Sequence, residues 1–312
     1  MIANDPSRPP PLEPRDPAGH KGTFGTVAVI GGCGSMSTPM IGAPTLAARA
    51  ALRAGCGLVR LVMPETIIRE GILLCPSATG FGFSVDHDSL PSDRQAIADH
   101  VRHADSIVIG PGLGPDLAPA APIARLVAEV VALGKPTVID ADALNALSSS
   151  GLFDTVDLSR SILTPHPGEF ARIARSLGLQ HQPADADARL SAAAELANRL
   201  KCVVVLKGAG TVVSDGDQAW VCDRGHHCMA TAGTGDVLSG LTGSLFAQNL
   251  RTHSHYEIAR QSVWSHAAAG EQWAEDHDGM AGMLAAELAD RLPGSLAQLG
   301  VRGDAEPPTR RA

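Results

Sequence analysis

Aromatic residues and positive charge are scarce in this chain of 312 residues, and these shortages already constrain the fold and the ligands. Phe, Trp and Tyr together make up 3% of the sequence, so a core has to be built from Val, Leu, Ile and Ala. Lys and Arg number 25 against 33 Asp and Glu, which gives a net charge of −8. A general nucleic-acid-binding protein needs a basic surface to displace counterions, so we predict no nucleic-acid partner. A mononucleotide stays compatible with this charge, because backbone N–H groups can hold its phosphates.

Several familiar motifs are also missing. No run approaches the roughly 20 apolar residues of a membrane helix, and the N-terminus has no apolar signal-peptide core, so we expect a cytoplasmic protein with no membrane partner. None of the six cysteines forms a C-x-x-C pair, and we predict that all six are free, buried thiols. No group of His and Cys residues has the spacing of a zinc site, so we predict no metal held by such a cluster. There is no G-x-x-x-x-G-K-[ST] phosphate loop, and the glycine loop at 32–37 lacks the third glycine of the dinucleotide-binding pattern.

The remaining composition is that of one α/β domain. Hydrophobic residues make up 44% of the chain, which is enough for a substantial core. Residues 1–19 contain six prolines and several charges, and we interpret them as a flexible arm. Residues 296–312 are a predicted C-terminal tail. No linker divides residues 20–295, which therefore form a single domain, and its apolar, Ala-rich helices favour a homo-oligomer.

Short β-branched runs alternate with Ala- and Leu-rich stretches along this domain. The alternation predicts βαβ units, and hence a mainly parallel central sheet flanked by helices. The segment 211–222, with Asp215-Gly216 as its turn, predicts an antiparallel hairpin at one edge. The predicted helices cover 43–54, 119–133 and 186–200, and the predicted strands cover 26–30, 58–62, 106–109, 137–139, 161–163 and 203–206.

Glycine-rich or polar clusters follow four of the predicted strands. They are GPGLG at 110–114, DADALN at 140–145, TPHPGE at 164–169 and KGAGT at 207–211. The carboxyl ends of parallel strands share one edge of a sheet, and ligands of open α/β sheets bind outside that edge. We therefore expect the four clusters to line one crevice, an arrangement typical of an enzyme.

A fifth cluster, ATAGTGD at 230–236, leads directly into an apolar helix. The glycines and the positive end of the helix predict an anion hole for a phosphate whose charge spreads during transfer. Asp236 has two interpretations, a catalytic carboxylate that orients an attacking hydroxyl group or a helix cap, and the neighbouring clusters favour catalysis. The helix N-terminus is expected to lower the pKa of Asp236.

Other polar positions have both a functional and a structural interpretation. Lys207 suits a loop folded around a nucleotide, although a solvated lysine beside a turn has the same local sequence. His166, held between two prolines, is a candidate substrate contact rather than a base, although isolated histidines are more often structural. The side chains of Asp140, Asp142 and Asn145 offer the oxygen ligands that Mg²⁺ prefers, and they suit turns and helix caps equally well.

Seven segments, taken in order, resemble one known family. They cover roughly residues 20–292 and comprise HKG at 20–22, the helix from Gly42 to Gly55, the four strand-end clusters and MATAGTGDVLSG at 229–240. This set resembles the ADP-dependent NAD(P)H-hydrate dehydratases, a nicotinamide-nucleotide repair family with a ribokinase-like fold. The resemblance implies that the S form of hydrated NADH or NADPH is phosphorylated from ADP with Mg²⁺. Phosphate then leaves, so that the reduced cofactor is restored and AMP is released.

The resemblance also implies roles for individual residues, carried over by position. The catalytic set would be Asp236, Gly233 and Gly235. The substrate and nucleotide sets are larger. Substrate contacts would come from Ala43, Gly112, His166 and Asp236, and nucleotide contacts from Lys207, Gly208, Ala209, Gly210, Thr211 and Gly235.

Two further functions compete with this one. A ribokinase-like kinase of a small vitamin-precursor alcohol, of the hydroxyethylthiazole or hydroxymethylpyrimidine type, would share the anion hole but stop at the phosphate ester. A catalytically inactive nucleotide sensor is a third hypothesis, against which the intact GTGD at 233–236 argues. An epimerase that interconverts the two hydrate forms is expected to be a separate chain, because the arm at 1–19 is too short to hold one.

Overall fold

The described residues form one nine-stranded sheet with helices on both faces. A computed structural model of the protein describes residues 8–35, 37–85, 93–114, 121–180, 183, 185–278 and 281–300. The sheet order is β3-β2-β1-β4-β5-β6-β7-β8-β9, with β1 to β7 parallel and β8 and β9 antiparallel, which confirms the predicted sheet and its edge hairpin. The strands are β1 (Thr26–Ile30), β2 (Leu58–Pro64), β3 (Thr79–Phe83), β4 (Ser106–Ile109), β5 (Thr137–Ile139), β6 (Ser161–Leu163), β7 (Val203–Leu206), β8 (Val212–Ser214) and β9 (Ala219–Val221).

The helices pack in two layers over a core that the sheet divides. Alternation along β1 shows the division, because Val27 and Val29 join one buried cluster while Ala28 and Ile30 join the other. Helices α1, α8, α9 and α10 contact one another on the first face, and α3 to α6 follow one another on the second. The helices are α1 (Gly42–Arg53), α2 (Ile68–Leu74), α3 (Arg94–Val101), α4 (Ala121–Val131), α5 (Ala141–Ser150), α6 (Pro167–Leu177), α7 (Ala186–Leu200), α8 (Thr234–Asn249), α9 (His255–His277) and α10 (Ala285–Gly300).

Close packing of α8 against α1 fixes the helix that carries Asp236. At the crossing, a Cβ added to Gly240 would lie 2.0 Å from the carbonyl oxygen of Ala47, so only glycine allows this approach. The residues of α8 from Val237 to Phe246 are all buried. The N-terminus of α8 is therefore held by packing along almost the whole helix.

The sheet contains one strand that the sequence pattern did not predict. Strand β3 has the sequence TGFGF, in which two glycines remove the β-branched signal of the other strands. It lies at the edge of the sheet beside β2, and its first two residues are exposed. The six cysteines are all free and buried, as predicted.

Both predicted terminal segments continue into the described structure. Within the arm, Gln261 Nε2 donates a hydrogen bond to the carbonyl oxygen of Pro10 at 3.1 Å, and the guanidinium group of Arg8 lies 4.8 Å from the ring centroid of Trp264. Helix α10 extends to Gly300, through the first five residues of the predicted tail. Residues 1–7 and 301–312 lie outside the described residues. Across the described ranges, no helix combines the length and the apolar composition that crossing a bilayer requires.

Candidate active site

The topological switch point of the sheet, where the ligand crevice is expected, lies between β1 and β4. These strands are neighbours, but the chain leaves β1 towards β2 on one side and continues from β4 towards β5 on the other. Such a switch point is the usual ligand site of an open α/β sheet. Here Gly32 N donates a hydrogen bond to Pro111 O at 3.0 Å, and a Cβ added to Gly112 would lie 3.2 Å from Cβ of Ala43. The structure thus brings Ala43 and Gly112, both predicted substrate contacts, side by side.

A buried ion pair joins the ends of β5 and β7. Lys207 Nζ donates a hydrogen bond to Asp140 Oδ1 at 2.8 Å, and the Asp140 side chain is only 1% exposed. The second oxygen of Asp140 accepts a hydrogen bond from Ser239 Oγ of α8 at 2.5 Å. Burial favours the neutral carboxyl, but the charge and hydrogen bonds of Lys207 and Ser239 outweigh it and hold the pKa of Asp140 below its usual value. Asp140 is therefore ionised at neutral pH.

Glu169 is the second carboxyl group beside Lys207. Its Oε2 lies 3.9 Å from Lys207 Nζ, and its side chain is 5% exposed. Burial, reinforced by the charge of Asp140 and opposed by that of Lys207, raises the pKa of Glu169 to about 7. The pKa of Lys207 itself is raised, because the attraction of Asp140 and Glu169 exceeds the opposing effect of burial. Lys207 is thus a charged, structured side chain, and the alternative of a solvated lysine is wrong.

His166 caps α6 and is joined to the same cluster. Its Nδ1 accepts a hydrogen bond from the backbone N–H of Gly168 at 2.9 Å, and Glu169 Oε2 accepts one from the His166 backbone N–H at 2.7 Å, which completes a capping box. Burial, together with the charges of Lys207 and Arg172, lowers the pKa of His166. Because Nδ1 accepts a hydrogen bond, the neutral ring carries its proton on Nε2, which lies 3.4 Å from Glu169 Oε1 in a half-exposed side chain. Both ring nitrogens therefore contact the first turn of α6, and the substrate contact of His166 stays a prediction.

The predicted nucleotide loop is held in shape by Arg189 of α7. The Nη2 group of Arg189 contacts three carbonyl oxygens, those of Leu206 at 3.0 Å, Lys207 at 3.2 Å and Gly210 at 3.4 Å. Within the loop, Thr211 Oγ1 donates to the carbonyl oxygen of Gly208 at 2.9 Å. Positive φ angles of +143° at Gly208 and +63° at Gly210 explain the two glycines. The loop is therefore preformed around carbonyl contacts on its inner side.

The first turn of α8 lies directly against the Lys207 ammonium group. Gly233, at a φ of +90°, is the N-cap residue, and a Cβ added to Gly235 would lie 3.3 Å from Lys207 Nζ. Two side chains hold the turn: Thr234 Oγ1 donates to the carbonyl oxygen of Thr231 at 3.1 Å, and His266 Nε2 lies 2.8 Å from the carbonyl oxygen of Thr234. Burial lowers the pKa of His266 to about 4, so its neutral ring donates to that carbonyl oxygen. A helix N-terminus beside a lysine is a favourable place for a phosphate group.

Asp236 is the third residue of α8 and not its cap, which favours the catalytic interpretation over the capping one. Its side chain is half-buried, and the expectation of a lowered pKa is wrong. Burial raises the pKa of Asp236 to about 7, and the charge of Asp140 reinforces this effect while that of Lys207 opposes it. The helix N-terminus does not prevent the increase, because several carboxyl groups surround one ammonium group.

The side chains considered for Mg²⁺ are all engaged in other contacts. Asp142 Oδ2 accepts a hydrogen bond from Gly114 N at 3.1 Å, Asn145 Oδ1 accepts one from Arg172, and Asp140 is bound by Lys207 and Ser239. In the described ranges, no group of three or more His, Cys, Asp or Glu side chains has an arrangement suited to a metal ion. These contacts occupy an oxygen atom of each of the three side chains, and the expectation of no dedicated metal ligands stays a prediction.

Several residues of the cluster had no role in the sequence analysis. Glu169 was visible only as the last letter of TPHPGE, although its position three residues after His166 fits a capping box. Ser239 and His266 gave no signal, because nothing in the local sequence distinguishes them from the other polar residues of α8 and α9. Their functions depend on contacts with Asp140 and Thr234, which are distant in sequence.

The fold and the crevice define the class of protein first. A ribokinase-like superfamily protein from Enterococcus faecalis superposes with a TM-score of 0.74 at 23% identity, over 92% of this chain and 91% of that one. This likeness establishes the ribokinase-like fold that the resemblance implied. It carries no information about substrates.

Sequence comparison identifies the family within that class. The NAD(P)H-hydrate dehydratase family, Carb_kinase, matches residues 27–294, and the chain belongs to this family. It is 38% identical over 278 residues to the ADP-dependent (S)-NAD(P)H-hydrate dehydratase of Neisseria meningitidis, covering 86% of this chain and 84% of that protein. The ADP/ATP-dependent NAD(P)H-hydrate dehydratase of Bacillus subtilis, co-crystallised with ATP and Mg²⁺, superposes with a TM-score of 0.72 at 29% identity, over 93% of this chain and 95% of that one.

Longer relatives contain the same region as part of a larger protein. The bifunctional NAD(P)H-hydrate repair enzyme Nnr of Moorella thermoacetica is 36% identical over 293 residues, which cover 92% of this chain but 52% of that protein. The chain thus spans about half the length of these bifunctional relatives.

Proposed function

We propose that this chain catalyses the ADP-dependent dehydration of the S form of hydrated NADH or NADPH. Membership of the NAD(P)H-hydrate dehydratase family supports the reaction class. The observation that carries the proposal is the first turn of α8, where Asp236 follows Gly235, whose Cα faces the Lys207 ammonium group. A helix N-terminus that can bind phosphate, the ammonium group of Lys207 and the carboxyl group of Asp236 thus lie together at the edge of the sheet.

Two chemical steps account for the products. The ring hydroxyl oxygen attacks the terminal phosphorus of ADP and gives its proton to Asp236, a new P–O bond forms, and the bond to AMP breaks. Phosphate is a better leaving group than hydroxide, so the lone pair of the ring nitrogen can then break the C–O bond. Loss of a proton from the adjacent ring carbon restores the double bond of NADH or NADPH and leaves AMP and phosphate.

The residues of the site are assigned to these steps as part of the proposal. The ionised form of Asp236 orients the attacking hydroxyl group, and the turn from Gly233 to Gly235 receives the migrating phosphoryl group at the positive end of α8. The loop from Lys207 to Thr211 holds the nucleotide, with the Lys207 ammonium group near its phosphates. Substrate contacts are assigned to Ala43, Gly112 and His166.

Mg²⁺ is proposed as a companion of the nucleotide. The Bacillus subtilis relative was co-crystallised with ATP and Mg²⁺. Magnesium commonly binds through substrate phosphates with few protein ligands, so the ion is expected to enter the site with the nucleotide. No step of the mechanism is assigned to the ion.

Three broader predictions accompany this function. The apolar, Ala-rich helices are the reason for predicting a homo-oligomer. A separate epimerase partner fits an enzyme whose relatives include proteins named as bifunctional repair enzymes. A cytoplasmic location fits six free, buried cysteines, since reducing compartments keep thiols unpaired.

The decisive experiment supplies hydrated NADH together with ADP and Mg²⁺ and follows the absorbance of the reduced nicotinamide. We expect the absorbance to return, with AMP and phosphate released in equal amounts. A matched reaction without ADP should stay flat. Accumulation of a stable phosphate ester from hydroxyethylthiazole or hydroxymethylpyrimidine, with no return of absorbance from the hydrate, would instead establish the alcohol-kinase alternative.

A further inference from the structure

Asp140 occupies a position that its sequence context does not explain. It is the N-cap residue of α5, yet its side chain makes no capping hydrogen bond. Instead, both carboxylate oxygens are used elsewhere, one by Lys207 and the other by Ser239. A cap would have left the carboxylate at the helix start, partly solvated. The buried orientation of Asp140 therefore serves another purpose.

The two partners of Asp140 belong to the proposed reaction centre. Lys207 begins the nucleotide loop, and its ammonium group faces Gly235. Ser239 lies on α8 one turn after Asp236. Through these contacts Asp140 connects the end of β5, the end of β7 and the first two turns of α8. Asp140 is not among the predicted ligand contacts, and both of its side-chain partners belong to the proposed reaction centre, so we assign it a role through these neighbours.

The charges around Asp236 point the same way. Four charged or titratable side chains influence the pKa of Asp236: Asp140 at the end of β5, Asp142 of α5, Glu169 of α6 and Lys207 at the end of β7. His266 of α9 supports the same turn and is neutral. Among the charged groups Asp140 has the largest influence on Asp236, and it is the most deeply buried of the three carboxyl groups closest to Lys207.

We propose that Asp140 is a positioning residue, which holds the Lys207 ammonium group beside the first turn of α8. Its carboxylate also places a fixed negative charge near the carboxyl group of Asp236. Its effect on the reaction is electrostatic. Burial and the charge of Asp140 together raise the pKa of Asp236 to about 7, so its carboxyl group can first orient a hydroxyl group and then accept its proton. This inference rests on the proposed function, but its central observable, the titration of Asp236, does not require turnover.

The test compares Asp140→Asn with Ser239→Ala. Asparagine keeps the shape of the side chain, and its oxygen and amide group can still meet Lys207 and Ser239, while the charge is lost. Ser239→Ala removes the hydrogen bond to α8 and leaves the charge. We expect Asp140→Asn to move the acidic limb of the kcat/KM profile down by about one pH unit, as removal of a nearby like charge predicts. Ser239→Ala should leave that limb in place.

A carboxyl-carbon NMR titration of Asp236 in the ligand-free protein separates this inference from the function. The Asp236 midpoint should fall in Asp140→Asn even if hydrated NADH proves not to be the substrate. An unchanged midpoint, or an equal shift in Ser239→Ala, would overturn the proposal. If Asp140→Asn alone does not fold, the same titration compares the wild-type protein with Lys207→Met/Asp140→Asn. Because Asp140 affects the pKa of Asp236 more than Lys207 does, the Asp236 midpoint must be lower in the double variant, and an equal or higher midpoint would again reject the role of Asp140.

Discussion

Replacing Lys207 with methionine should destabilise the protein, because the buried carboxylate of Asp140 then has no positively charged partner. Methionine keeps most of the side-chain volume but removes the ammonium group that donates to Asp140 at 2.8 Å. Glu169 cannot compensate, because it is also a carboxyl group. Removing one partner of a buried ion pair typically costs about 3–5 kcal/mol of unfolding free energy, and we expect a loss in this range at pH 7.

The pH dependence of this loss identifies its cause. In the wild-type protein the pKa of Asp140 is lowered, so its contribution to stability is present above its unfolded pKa and is lost as pH falls through the lower folded value. In Lys207→Met, burial dominates and raises the pKa of Asp140 above the unfolded value of about 3.9. The folded variant then binds more protons than the unfolded chain, so its deficit should shrink as pH falls from 7 towards 5.

Urea unfolding followed by tryptophan fluorescence measures both effects. Lys135→Met is the matched control, because Lys135 forms no ion pair with any residue in the described ranges, and it should cost less than about 1 kcal/mol. The double variant Lys207→Met/Asp140→Asn should recover part of the loss, since the uncompensated charge is gone. A Lys207→Met variant as stable as the control, or a deficit that grows at low pH, would refute this electrostatic account.

Two further predictions concern the supports of the site. Arg189→Met removes the donor that three carbonyl oxygens at the nucleotide loop share. We expect the Kd for ADP to rise about tenfold in calorimetry, since hydrogen bonds from charged groups contribute about 1.5–3 kcal/mol. An unchanged Kd would show that the loop keeps its shape without the guanidinium group. Gly240→Ala places a Cβ 2.0 Å from a backbone oxygen of α1 and should lower the unfolding free energy by about 1–3 kcal/mol, whereas Gly300→Ala, with open space around it, should be neutral. Equal stabilities of these two glycine variants would contradict the packing described at the α1/α8 crossing.

Local sequence patterns were sufficient to predict every strand of the sheet except β3, because most strands are β-branched runs followed by polar or glycine clusters. Strand β3 was not predicted, because its two glycines contribute neither β-propensity nor a hydrophobic pattern. The order of the strands, and with it the switch point between β1 and β4, depends on tertiary packing and has no local signal. The convergence of the clusters followed once the strands were taken to be parallel.

The chemistry of the site was less accessible than its location. The pKa of Asp236 was predicted in the wrong direction, because the helix N-terminus is visible in the sequence while the approach of Asp140 is not. Asp140 finds its partners 67 and 99 residues away, at Lys207 and Ser239, so its buried role could not be separated from that of a turn residue. Individual motifs in the sequence indicate where polar side chains lie. The pKa values of these side chains depend on contacts between motifs, which the sequence does not reveal.

The central claim is that Asp236 acts in the chemical step while the loop from Lys207 to Thr211 binds the nucleotide. The most direct measurement compares Asp236→Asn with the wild-type protein, using dehydration of hydrated NADH for turnover and calorimetry for ADP affinity. The account predicts a loss of turnover of about 100-fold or more, as expected when a positioned acid–base group is removed, with the Kd for ADP changed by less than about threefold. Turnover close to wild type, or a loss explained entirely by weaker ADP binding, would contradict it.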